Sequence, residues 1–137
     1  MQNQPISEII YTGLFVDNPA ELLKQFPPKY STVFGHHSTN RFKPTDTHGL
    51  EVGKKSEIKI IGWASDDKCD ALLIENPKAE KRYPHITLSC AEGVPPVYAN
   101  AMLEMAVKNG TIKMLETSVL VAVTEGYYSS DGKDVLA

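Results

Sequence analysis

Extended segments outnumber helical ones in this chain and do not alternate with them, and that order constrains the fold more than any single residue. Residues 9–16 (IIYTGLFV) are rich in β-branched and aromatic side chains and predict a strand. Asn18-Pro19 then opens a short helix: an N-cap is followed by proline at the first helical position. Ala20, Leu22, Leu23 and Phe26 form its apolar side, and Pro27-Pro28 stop it. Extended stretches follow over 32–42, 57–64, 71–75 and 85–91, with 57–64 and 71–75 forming a hairpin across the turn at 65–68. Polar loops over 43–55 and 76–84 flank this hairpin. A second helix is predicted from Pro95-Pro96 to about Lys108, with Val97, Ala101, Leu103, Met105 and Val107 as its apolar residues and Asn109-Gly110 as its end. Residues 112–115 and 118–124 are again extended, and the polar tail after Gly126 is expected to fray. The order β-α-β-β-β-β-α-β-β predicts an α+β fold rather than a doubly wound parallel sheet, in a single domain over residues 1–137.

A chain of 137 residues buries about two thirds of its unfolded surface, enough for a core without disulfides or a structural metal. Its net charge of −3 argues against a partner such as long duplex nucleic acid, which is held by bulk positive charge. A short or cyclic nucleotide in a local pocket is compatible with that charge. The clusters Lys54, Lys55, Lys59 and Lys78, Lys81, Arg82 read as solvated faces. Cys69 and Cys90 lack the spacing of a metal pair or a redox motif, and are expected to be packed free thiols. Residues 1–6 are polar and show no apolar signal core, and no run approaches the roughly 20 apolar residues of a membrane helix. The expectation is a cytoplasmic protein with no membrane partner.

Of the four histidines, His36, His37, His48 and His85, two begin the pattern His-x-Thr: His37-Ser38-Thr39 and His85-Ile86-Thr87. In a strand, residues two apart project to the same face. Two such strands side by side would turn two imidazoles and two hydroxyls into one groove. Cleaving a phosphodiester without a metal needs a base for the attacking oxygen and an acid for the leaving oxygen, and two histidines supply both near neutral pH. Threonine hydroxyls can donate to the non-bridging oxygens, where charge builds in the transition state. The expected catalytic set is His37, Thr39, His85 and Thr87, with no cofactor.

Two His-x-Thr strands in a small α+β domain resemble the 2H phosphoesterase superfamily. That group includes LigT-like RNA phosphodiesterases, the cyclic phosphodiesterase domains of tRNA ligases, and phage enzymes that destroy cyclic oligonucleotide signals. Pro84-His85-Ile86-Thr87-Leu88 matches closely, with aliphatic residues around the motif. Gly35-His36-His37-Ser38-Thr39-Asn40-Arg41-Phe42 departs from the pattern, since family members usually carry aliphatic or aromatic residues where Ser38 and Asn40 stand. The element order agrees over about residues 9–124. The resemblance implies a bilobal fold of antiparallel sheets with a helix in each lobe and a histidine-threonine pair from each lobe facing a central groove. It also implies metal-independent hydrolysis of 2′,3′-cyclic phosphate RNA ends or of cyclic nucleotide signals, the latter a phage anti-defence activity. Small size and negative charge lean toward the cyclic nucleotide.

Other residues are candidates for holding the substrate. Tyr11, Phe42, Trp63, Tyr83, Tyr127 and Tyr128 could stack on a base, a contact worth about 1–3 kcal/mol; aromatics on strands are more often core, and Tyr11 and Tyr83 are the favoured two. Arg41, with Lys43 and Arg82, could bind further phosphates, and Glu125, at the end of the last long strand, could reach the groove. His36 is expected on the strand face opposite His37, in a structural role, and His48 in solvent. A zinc site from His36, His37, Asp46 and His48 lacks any recognised ligand spacing, and no phosphate-binding glycine loop is present. The competing function is a nucleotide- or RNA-end-binding module without turnover, kept open by Ser38 and Asn40.

Overall fold

The β-branched and aromatic runs become strands of an antiparallel sheet, and the two capped segments become helices, giving an α+β fold. The computed structural model describes residues 8–137; the polar opening at 1–6 lies outside them. In chain order the elements are β1 (Ile9–Val16), α1 (Pro19–Gln25), β2 (Thr32–Val33), β3 (His37–Phe42), β4 (Lys55–Ser65), β5 (Cys69–Glu75), β6 (His85–Cys90), α2 (Tyr98–Asn109), β7 (Lys113–Ser129) and β8 (Asp134–Val135). The stretch expected as one strand over 32–42 is broken at Gly35, whose φ of +75° turns the chain between β2 and β3.

All the strand pairings are antiparallel, in the order β2-β6-β5-β4-β7-β1-β3, with β8 added beside β7. The separate sheets expected from the sequence are therefore joined into one. The cause is β7, which is 17 residues long and pairs with β4 along its first part and β1 along its second. The sheet then bends until its edge strand β3 lies against β6. The amides of Phe34 and Gly35 donate to the carbonyls of Leu88 and Thr87, and the amide of Glu80 donates to that of Asn40, each at 2.8 Å.

The concave face holds the main core: Leu14 and Val16 from β1, Ile58 and Ile60 from β4, Leu72 and Ile74 from β5, Ile86 and Leu88 from β6, with Leu22 and Phe26 of α1 closing it. α2 covers the opposite face of β4, β5 and β6, where Ala99, Met102, Leu103 and Ala106 pack on Ala64, Ala71, Cys69 and Cys90. The stripe it buries follows the helical repeat, so Val97, Met105 and Val107, expected to be apolar contacts, are exposed instead. Cys69 and Cys90 are free, fully buried cross-strand neighbours. The tail does not fray: β7 continues to Ser129, and β8 returns along Tyr127 and Tyr128. Among the described residues, no helix is long and apolar enough to cross a membrane.

Candidate active site

Strand alternation sets both His-x-Thr motifs. On β6, Ile86 and Leu88 are wholly buried in the core, which turns the half-buried His85 and Thr87 to the other face. On β3, Ser38 and Asn40 are buried and His37 and Thr39 are turned outward in the same way. Ser38 lies opposite Leu14 of the core, and His37 opposite Phe15. The inner faces of both strands point into the same sheet interior, so the two histidines and two threonines share the outer side where β3 meets β6. The Gly35–Thr87 main-chain bond fixes this seam two residues before His37. Gly13, opposite Thr39, is required for the approach on the other side of β3, because a Cβ there would lie 2.7 Å from the Ser38 carbonyl oxygen.

The inner face of β3 is polar where that of β6 is aliphatic, and Asn76 satisfies it. The Asn76 Nδ2 group donates to Ser38 Oγ at 3.1 Å and to Asn40 Oδ1 at 2.7 Å, and its Oδ1 accepts from the Lys78 amide. Asn76 begins the loop that leads into His85, so one buried amide ties the two motif strands together.

The two imidazoles are held differently. His85 Nδ1 lies 2.9 Å from the Tyr83 carbonyl. A carbonyl only accepts, so Nδ1 carries the proton and Nε2 is the nitrogen left for a ligand. Burial lowers the His85 pKa, opposed by that carbonyl bond and aided by Lys81. His37 Nδ1 lies 2.6 Å from His36 Nδ1 and 3.5 Å from the Tyr11 hydroxyl. Burial, with His36 and His85 close enough to oppose a second positive charge, lowers the His37 pKa to about 3. The Thr39 and Thr87 hydroxyls are half-buried, and neither is taken up by another group among the described residues.

Of the residues expected to hold substrate, Tyr11 joins this face. Its ring stacks on His37 with centroids 4.6 Å apart and on Tyr128 at 5.4 Å. Tyr83 serves the site through its carbonyl, while its ring packs against the α2 cluster with Arg82 above it. Arg41 is not brought to His37. A β-bulge opposite Thr12 and Gly13 adds one residue to β3 and reverses the alternation, and Arg41 pairs instead with Asp46 at 2.9 Å and Glu80 at 3.8 Å. Glu125 lies opposite Leu14, on the inner face, where it bonds Lys78 at 2.6 Å and accepts from the Glu51 amide. Arg41 and Glu125 line a separate cavity of about 210 Å³ with Thr12, Asn40, His48 and Lys78.

Two residues at the site were misread or missed in the sequence, His36 and Asn76, while Tyr128 was one of several aromatic candidates. His36 does not point away from His37, because β3 begins at His37 and strand alternation does not extend back to it. The adjacent histidine pair was the available signal. Tyr128 reaches the site because β7 runs past the expected end, and Asn76 has no local signature. Among the described residues, no three His, Cys, Asp or Glu side chains gather as metal ligands would. The chain matches no protein-family model and no curated protein sequence.

Proposed function

We propose that this protein is a phosphodiesterase that opens 2′,3′-cyclic phosphate RNA ends or cyclic nucleotides by two-histidine acid–base catalysis, in the manner of the 2H phosphoesterases. In this reading the regions carrying β3 and β6 are the two lobes and the seam between them is the groove. The observation that carries it is that His37, Thr39, His85 and Thr87 lie on one side of adjoining strands, with the Nδ1 of each histidine engaged and no other group among the described residues bonded to its Nε2 or to either hydroxyl.

His37 is the base and His85 the acid. A cation on His37 is opposed by burial and by both other rings, so before substrate binds His37 is a neutral acceptor. His85 donates from Nδ1 to a carbonyl, and that bond favours its imidazolium form. A bound phosphate anion raises both pKa values by direct attraction. Water then attacks phosphorus as His37 Nε2 takes its proton, His85 Nε2 gives a proton to the departing ribose oxygen, and the Thr39 and Thr87 hydroxyls donate to the non-bridging oxygens. Tyr128, stacked on Tyr11 beside His37, offers an aromatic ring for a base.

A binding module without turnover is the second reading, favoured by the depressed His37 pKa, which makes that imidazole a weak acceptor for the attacking water's proton. Hydrolysis of a nucleoside 2′,3′-cyclic phosphate and a panel of cyclic dinucleotides in EDTA separates the two. The proposal expects turnover in the wild type and its collapse in both His37→Ala and His85→Ala. Activity that persists in both variants overturns it, and tight binding of these ligands without turnover assigns the binding module.

A further inference from the structure

We propose that His36 is a positioning residue for His37 that fixes which ring nitrogen faces the groove and links that nitrogen to solvent through one shared proton. This rests on the reading of His37 as a base. The two rings are within 18° of parallel, and their Nδ1 atoms are 2.6 Å apart while their centroids are 4.7 Å apart. Rings stacked face to face would bring their centroids nearly as close as their nearest atoms. Here the nitrogens are much closer than the centres, so the rings meet by their Nδ1 edges, in hydrogen-bonding geometry.

One proton lies between these nitrogens, because two bare lone pairs at this distance repel and two N–H groups clash. Tyr11 does not displace His36 as the partner: its ring lies over the face of His37, and its hydroxyl stands at 3.5 Å, the outer limit of a hydrogen bond. With the proton on His37 Nδ1, the lone pair of His37 Nε2 is left for the attacking water. When Nε2 takes the water's proton, the Nδ1 proton moves to His36 Nδ1, and the exposed His36 ring releases its own Nε2 proton to solvent. Atoms and charge balance: one proton enters at His37, one leaves from His36, and both rings end neutral with their tautomers exchanged. The buried His37 thus avoids holding a positive charge, which its surroundings oppose.

The groups facing the pair are Tyr11 from β1, which stacks on His37; Tyr128 from β7, which stacks on Tyr11; His85 from β6, which opposes a cation on His37; and Asp134 from β8, which favours one on His36. Phe15 and Phe34 complete the surroundings and carry no charge.

The test compares wild type with His36→Phe, which keeps a ring but no nitrogen, and His36→Asn, whose amide oxygen can accept from His37 Nδ1 but cannot relay a proton. Ring ¹⁵N shifts of His37 are read beside kcat and KM across pH on a nucleoside 2′,3′-cyclic phosphate. In wild type the His37 proton should sit on Nδ1; His36→Asn keeps it there, and His36→Phe loses the preference. kcat should fall about 10- to 100-fold in His36→Phe, a usual cost of removing the group that orients a functional imidazole, with KM nearly unchanged and the acid limb of the kcat profile moved to lower pH. His37 nitrogens identical in wild type and His36→Phe overturn the proposal, and so does a superimposable kcat profile. Should wild type turn over nothing, the phosphodiesterase reading fails, and the ¹⁵N shifts by themselves decide whether His36 sets the His37 tautomer.

Discussion

The two motif strands present the same three-residue pattern but are held by different forces. β6 is anchored from behind by Ile86 and Leu88, both fully buried in the core, and His85 is oriented by a main-chain carbonyl. β3 is an edge strand with Ser38 and Asn40 behind it, held by the side chain of Asn76, and His37 is oriented by the side chain of His36. One half is fixed by apolar burial and backbone, the other by side-chain hydrogen bonds. Apolar burial is non-directional and tolerant, whereas a buried polar network depends on every partner being present. The β3 half should therefore be the one that single polar substitutions disturb.

The largest effect tests what the halves share. Replacing either histidine by alanine should lower kcat on a cyclic phosphate by about 10²–10⁴-fold, the usual contribution of one proton-transfer group, with the melting temperature little changed. Equal losses fit an acid–base pair; a large loss in only one variant would make the halves unequal in chemistry as well as in support.

Stability should separate them next. Ile86→Ala should cost about 2–5 kcal/mol by opening a core cavity. Asn76→Ala should cost about 1–3 kcal/mol by leaving buried polar groups unpaired. In two-dimensional NMR spectra, Asn76→Ala should shift the resonances of His37 and Thr39 more than those of His85 and Thr87. The reverse pattern would show that Asn76 does not govern β3.

pH gives a smaller, graded contrast. His36, His37 and His85 are all held below the ordinary imidazole pKa of 6.5, with His37 at about 3. Below pH 6.5 the unfolded chain therefore binds more protons than the folded one. Stability present above pH 6.5 should fall as pH drops toward 3. Thermal melts of His37→Gln should show a flatter decline than wild type, and His85→Gln an intermediate one. A wild-type melting temperature constant from pH 6.5 to 4 would contradict the buried, uncharged state of these rings. The smallest effect should come from Gly126→Ala. A Cβ there would meet the Val135 carbonyl, displacing β8 and raising amide exchange in the tail while leaving the motif strands intact.

Much of the fold was legible because local rules governed it. The N-cap at Asn18, proline at the helix start, the left-handed Gly110 and the β-branched runs each set a boundary through the conformations their own residues allow. His37, Thr39, His85 and Thr87 were legible because a period-two pattern in a strand fixes a face. Local rules stopped at β7 and the tail, where pairing with β1 and β8 outweighed a polar composition. They stopped again at Arg41, where a bulge that depends on the neighbouring strand reversed the alternation, and at Glu125, whose facing follows from the β1–β7 register.

By itself the sequence determined both helices, most of the strands and their sequence along the chain, and which two motifs turn a histidine and a threonine to one face. Only the tertiary structure decided that one sheet carries both, that Asn76 replaces an aliphatic backing, and that His36 meets His37 edge to edge. The division follows from range: φ/ψ preference and side-chain periodicity act within a few residues, whereas strand pairing and ring-to-ring contact depend on where the folded backbone brings distant segments together.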